Sequence, residues 1–312
     1  MVYREIGRYM KKNYLKIPAY AALLAVFCQI LWGVVFPVIK KSYLLFNIND
    51  IGSTFLFAGI RFITAGIILL IVCTIRDKKF PFMEKNEIVP LLTLGSIQTG
   101  FTYGLQFAGM ISAASINCSI LNGTSFIFMT IFAHFMFKDD KINTRKVLGS
   151  IFGFTGILVC FLWGGSFESF SLKGEGVMLL SIISFAFGTN VSRKVTKGID
   201  PIKASGYNLL IGGLELFIIA LFMGGRLSNG GIFGFSCLLF LALASSICLM
   251  LWTSLVSANG VGRISVFQCV NPLSGALAAS LLLGENVLQI KYILSLILVV
   301  TGIVIVNTGK KK

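Results

Sequence analysis

Charge is what this sequence has least of. Only 12% of the residues are Asp, Glu, Lys or Arg, while 56% are hydrophobic. A soluble domain carries roughly twice that charged share, so the composition excludes an ordinary soluble fold and leaves an all-α integral membrane protein. Histidine is reduced to His134 alone, which excludes a histidine-built zinc site. Cys28, Cys73, Cys118, Cys160, Cys237, Cys248 and Cys269 form no CxxC pair and lie in apolar surroundings. They read as small core hydrophobes, not as a disulfide framework or a metal site. A phosphate-binding glycine loop, HExxH and GxSxG are all missing, so no enzyme chemistry and no cofactor is implied. Acid is scarcer than base, 12 residues against 27, for a net charge of +15. In a soluble chain that surplus would suggest nucleic acid; here its placement along the chain decides otherwise.

What is abundant is the long apolar run. A helix needs about 20 mostly apolar residues to cross a bilayer. Ten candidates meet that requirement, near 18–39, 51–75, 88–108, 112–137, 146–163, 175–192, 203–224, 232–256, 263–283 and 290–307. No small-residue cleavage site ends the first, so it reads as a retained helix. With the N-terminus inside, 21 of the 27 Lys and Arg fall on inner segments, five on outer loops and one, Arg61, within a span. That bias follows the tendency of cytoplasmic loops to collect Lys and Arg, and predicts an N-in, C-in chain. It also accounts for the basic charge without nucleic acid. The basic segment 1–17 reads as an interfacial helix or a solvated tail, and 308–312 as a basic tail.

Lys138-Asp139, Arg145 and Gly156 recur as Gly284-Glu285, Lys291 and Gly302 at a constant offset. The spacing divides the chain into two five-helix repeats, 18–165 and 174–307. An odd number of helices per repeat makes the second enter the membrane the opposite way round, an inverted-topology layout. Asn271-Pro272 interrupts the ninth span, where a proline removes a donor and bends the helix. Its counterpart in the first half is Phe126, and the nearest helix-loosening group there is Asn122-Gly123-Thr124. Pro272 and Gly123 are therefore the expected flexible points.

Trp32-Gly33 with Phe36-Pro37 in the first span, Arg61-Phe62 in the second, and Asn271-Pro272 followed by Gly284-Glu285 resemble the EamA-type carriers of the drug/metabolite transporter superfamily. The resemblance covers nearly the whole chain. It implies a secondary transporter of the cell membrane that moves a small organic metabolite, such as an amino acid or related amphipathic solute, with export favoured. A sensor or assembly subunit without transport is the alternative, and it predicts a closed bundle with every amide paired.

Two charges lie deep in spans, where they are expensive and mark functional candidates: Arg61 and Glu215. Glu215 reads as a proton-coupling group, with uniport as the other reading. Arg61 reads as the holder of an anionic group on the solute, or as the ion-pair partner of Glu215. Among the uncharged polar and aromatic groups within spans, those on the helices that line the cavity in the resembled family are Trp32, Gln98, Tyr103, Asn122, Asn190, Trp252, Gln268 and Asn271. Buried amides glue helices together as readily as they line a cavity, so packing is the competing reading for each. Gly149-x-x-x-Gly153 with Gly156, and Gly212-Gly213, read as packing faces within the chain; monomer and homodimer both remain open. His134 reads as interfacial, not catalytic.

Overall fold

Pro18, at the first helical position where its missing N–H costs nothing, starts α1 (Pro18–Leu45). The computed structural model describes residues 14–113, 118, 121–162, 171–272, 274–275, 277–278 and 290–307. The segments 1–13 and 308–312, Asn117 and Gly284-Glu285 lie outside the described residues. Asp50 accepts from the Ser53 N–H at 2.8 Å and starts α2 (Ile51–Asp77). The third apolar run is composite: α3 (Lys85–Leu94), a π-helix (Gly95–Phe101) and α4 (Thr102–Ser112). Next come α5 (Ser125–Met136), α6 (Thr144–Leu162), a short π-helix (Leu172–Gly176) and α7 (Val177–Val195). Asp200 caps α8 (Pro201–Phe222) by accepting from the N–H groups of Ile202 and Lys203. Gly260, at φ +90°, turns α9 (Gly231–Asn259) into α10 (Val261–Ile264). A 3₁₀ segment (Ser265–Val270) follows, and α11 (Ile290–Asn307) closes the described chain.

Among the described residues, five helices are long and apolar enough to cross a membrane: 18–45, 51–77, 172–195, 201–222 and 231–259. Leu121–Met136, Val261–Val270 and Ile293–Gly302 are shorter apolar helices. The first expected span runs six residues further than 39, because Lys40 stays in the helix and its ammonium reaches the Met110 carbonyl.

The expected bend before Pro272 is a run of 3₁₀ turns immediately upstream of it. In the first half the break falls at Thr124, whose hydroxyl takes up the Leu121 carbonyl at 2.7 Å. These two irregular places meet: a Cβ on Gly123 would stand 2.6 Å from Pro272 Cγ. A side chain at 123 would push the two helices apart at their bends.

α2 and α8 pack through glycines contributed by both. A Cβ on Gly59 would stand 2.8 Å from the Phe217 nitrogen, on Gly66 2.7 Å from the Leu210 nitrogen, and on Gly213 2.7 Å from the Ile63 nitrogen. Such approach is available only where one of the two backbones is bare, and close packing is the main attraction between helices in lipid. Gly302 meets the backbone of Gly149 and Gly153 in the same way, so that glycine face is spent on α6–α11 packing within the chain.

Gly213→Val forces α2 from α8 and is expected to cost about 1–3 kcal/mol, as overpacking of a tight interior does. The measurement is the melting temperature of the purified protein, with Gly198→Ala as the control, since nothing lies within 4 Å of a Cβ there. Equal melting of the two variants would remove the glycine contact from the list of stabilising features.

Candidate functional site

The π-helix at Gly95–Phe101 turns the Ile97 carbonyl onto the Thr102 N–H, five residues along. Hydroxyls add to that bond. Thr102 Oγ1 donates to Ile97 O at 2.8 Å, and Ser184 Oγ approaches the same oxygen at 3.2 Å. Ser181 on α7 donates to the Thr102 carbonyl at 2.8 Å. The irregular turn is thereby fixed against α7, and it aims Thr102, Tyr103 and Gln106 inward.

There they line a cavity of about 460 Å³, its mouth included, with Trp32, Val35, Phe36 and Ile39 of α1, Arg61 of α2, Asn122, and Ser181 and Phe185 of α7. Its wall draws on both halves of the chain. Aromatic faces with a few polar groups make the chemistry of a small-molecule site. The floor is aromatic. Trp32 packs edge-on against Trp252 at 5.5 Å and Phe185 at 5.9 Å between ring centroids.

Of the expected site residues, Trp32, Tyr103, Asn122 and Arg61 stand in that wall. Gln98 is instead held in a network: Asn208 Nδ2 donates to its Oε1 at 2.8 Å, its Nε2 reaches Thr189 at 3.3 Å, and Thr99 donates to Asn208 Oδ1 at 2.7 Å. Asn190 donates to the carbonyls of Met129 and Ala186, and so ties α7 to α5. Trp252 backs Trp32 and is fully buried. Gln268 and Asn271 are buried on the 3₁₀ segment and at its end. Both amide atoms of Gln268 are without a hydrogen-bond partner, and so are those of Gln29, one turn from Trp32 on α1.

The expected pairing of Arg61 with Glu215 does not occur. Their helices touch, but the two side chains leave on different sides. Arg61 runs toward α9, where Nε and Nη2 reach Ser245 Oγ at 3.0 and 2.8 Å and Nε reaches Leu241 O at 3.2 Å. Glu215 runs to the π-helix and accepts from Ser96 Oγ at 2.5 Å. A Cβ on Gly100 would collide with its carboxylate, so Gly100 leaves the room that Glu215 fills.

Asp140 gave no sequence signal beyond membership of a charged turn. It is 7% exposed and accepts from Lys146 Nζ at 2.8 Å, from Arg193 at 3.3 Å and from the Gly262 N–H at 2.9 Å. Arg193 also pairs with Asp139 at 2.7 Å and lies over the Phe137 ring at 4.3 Å. The cluster joins the turn after α5, the end of α7 and the start of α10. At the same end of the bundle Arg76 pairs with Asp200 at 3.1 Å and Lys203 with Glu87 at 2.5 Å. Every ion pair between described residues lies at that end. The cavity reaches from mid-bundle toward the other. Burial pushes the Asp139 carboxyl up, but the hydrogen bond and charge of Arg193 outweigh it and leave the group below its ordinary value. Glu87 is likewise opposed by burial and held low by the Glu84 N–H and by Lys203. His134 serves the same turn, its Nδ1 accepting from the Ile142 N–H at 3.0 Å.

The EamA-like transporter family matches this chain twice, over residues 19–162 and 172–308. The Bacillus subtilis protein named "Uncharacterized transporter YvbV" is 28% identical over 292 residues, 93% of this chain and 92% of its own length. "Uncharacterized inner membrane transporter YedA" of Escherichia coli K12 is 27% identical over 301 residues, 94% and 92% of the two chains. A solved crystal structure shares the fold with a TM-score of 0.71 at 15% identity, over 91% of this chain and 96% of that one. These names are those of transporters, not of enzymes.

Carboxyls held low stabilise the folded state above their ordinary range near pH 4, and that contribution fades as pH falls through the depressed value. The ion-paired end is therefore expected to melt unchanged between pH 8 and pH 5 and to weaken only below about pH 4. Thermal scans of wild type and Asp139→Asn across that range check this; a wild-type loss beginning near pH 6 would contradict it.

Proposed function

The chain belongs to the EamA-like transporter family, and from that premise we propose that it is a secondary transporter exporting a small organic metabolite, an amino acid or related amphipathic solute, across the cell membrane. The observation that carries the reading is the aromatic and polar cavity walled by both halves of the chain. A sensor or assembly subunit has no use for such a space, and its amides would be paired, unlike those of Gln29 and Gln268.

Alternating access gives the parts their roles. The two repeats cross the membrane five times each in opposite senses, with the ion-paired end in the cytoplasm, where the Lys- and Arg-rich loops belong. The present state is then closed on the cytoplasmic side by the Asp140 cluster, and its cavity faces outward. Passage requires the cluster to part and the Trp32–Trp252–Phe185 floor to open. Gln29 and Gln268, on packed segments one layer below, gain water or solute as partners in the inward-facing state. Buried polar groups without partners cost about 1–3 kcal/mol each, which keeps the two states close in free energy. The 3₁₀ segment, Pro272 and Gly123 supply the bend. Proton coupling falls to Glu215, which touches the π-helix at Ser96 and Gly100 while Thr102 and Tyr103, just beyond it, line the cavity.

Uptake of a mixed metabolite pool into proteoliposomes, read by mass spectrometry with and without a pH gradient, tests the reading. Gradient-dependent accumulation of one solute class, lost in Glu215→Gln, is the expected result. Accumulation to equilibrium only would make the protein a facilitator and Glu215 a packing residue. No passage of any solute by folded protein would reject transport. A second outcome concerns the closed end: a cysteine at Gln268 is expected to be labelled from the cytoplasmic side at least several-fold faster in Asp140→Asn than with Asp140 intact. Equal labelling rates would sink the gate.

A further inference from the structure

Among the described residues Arg61 is the one charged residue in the cavity wall, and no described carboxylate faces it there. Only 1% of its surface is exposed. Nε and Nη2 are spent on Ser245 and Leu241, while Nη1 has no acceptor. The guanidinium lies over the rings of Phe62 at 4.9 Å and Phe107 at 5.8 Å. The titratable groups that face it are Tyr43, Tyr103 and Cys248, all neutral near pH 7. Ring faces and a serine hydroxyl hold the fork in place without cancelling its charge. A buried cation lacking a counter-charge is costly, and the ordinary remedy is an anion with which it can pair.

We propose that the transported solute is a small amphipathic carboxylate whose anionic end docks on Arg61 Nη1. The planar guanidinium suits the planar carboxylate, and Ser245 pre-sets its orientation, so little freedom is lost on binding. The apolar body of the solute lies between Trp32, Phe36 and Phe185, with Gln106 and Asn122 offered to its remaining polar groups. Zwitterionic amino acids and plain carboxylic acids share this docking chemistry. Multiply charged anions do not fit, since the wall holds one cation. The proposal rests on the transporter reading and adds to it the class of substrate.

The test uses the purified full-length protein and a panel of carboxylic and amino acids, each beside its own primary amide. Melting temperature reports binding, and proteoliposome uptake of the same panel reports transport. At least one acid is expected to raise the melting temperature and to be taken up, while its amide does neither. Arg61→Gln is expected to weaken that acid's effect at least tenfold, with Arg61→Lys retaining part of it. Uptake confined to amides, amines or other solutes without an anion would overturn the proposal and leave transport standing. So would unchanged acid binding in Arg61→Gln. Should that variant fail to fold, the acid-against-amide comparison on wild type decides alone. Uptake of nothing, from this panel or from a mixed metabolite pool, rejects the transporter reading and this proposal with it.

Discussion

A bilayer offers backbone groups no water, so every departure from α-helical geometry has to be satisfied from within the protein. The irregular segments of this chain follow from that constraint. In the π-helix at Gly95–Phe101 the Ile97 carbonyl takes the Thr102 N–H, with the hydroxyls of Thr102 and Ser184 beside it. The break at Thr124 closes on its own hydroxyl. The 3₁₀ run before Pro272 is buried against α1 and faces the bare backbone of Gly123. Each such place must sit inside the bundle, and Thr102, Tyr103 and Asn122, which line the cavity, lie next to two of them.

Charge is rationed in the same way. Ion pairs between described residues are gathered at one end, where Asp140 serves two cations and a backbone N–H at once. Away from that end Arg61 and Glu215 stand apart, on helices that touch but facing different neighbours. The separation gives each its own task in the proposed cycle: Arg61 meets the solute, and Glu215 acts on the π-helix that shapes the opposite wall. Asp140 then governs which end is open.

The all-helical membrane fold was legible because it follows from composition: a chain this apolar has nowhere else to be stable. The family was legible from the order of Trp32-Gly33, Arg61-Phe62 and Asn271-Pro272 along the chain. The cavity wall was legible only in part. Trp32, Val35, Phe36 and Ile39 share one helical face, and that spacing could have extended the set from Trp32 alone. Gln98 and Asn190 have the residue type of a ligand contact but stand outside that wall, Gln98 bonded to Asn208 and Thr189 and Asn190 Nδ2 to two carbonyls. The π-helix has no signal stronger than Gly95 and Gly100, and across it Gln106 lines the cavity while Gln98 does not. Asp140 was hidden because burial of a loop carboxylate depends on Arg193 and Gly262, far along the chain.

The central claim is that the two ends of the bundle open in turn around one cavity. Spin labels placed in a background without the seven native cysteines measure this directly, one pair at Lys141 and Lys197 and another at Asn49 and Ser228. Each pair is expected to show two distance populations by pulsed dipolar spectroscopy, and Asp140→Asn is expected to lengthen the first distance while shortening the second. A single distance at each end, indifferent to that substitution, would contradict it.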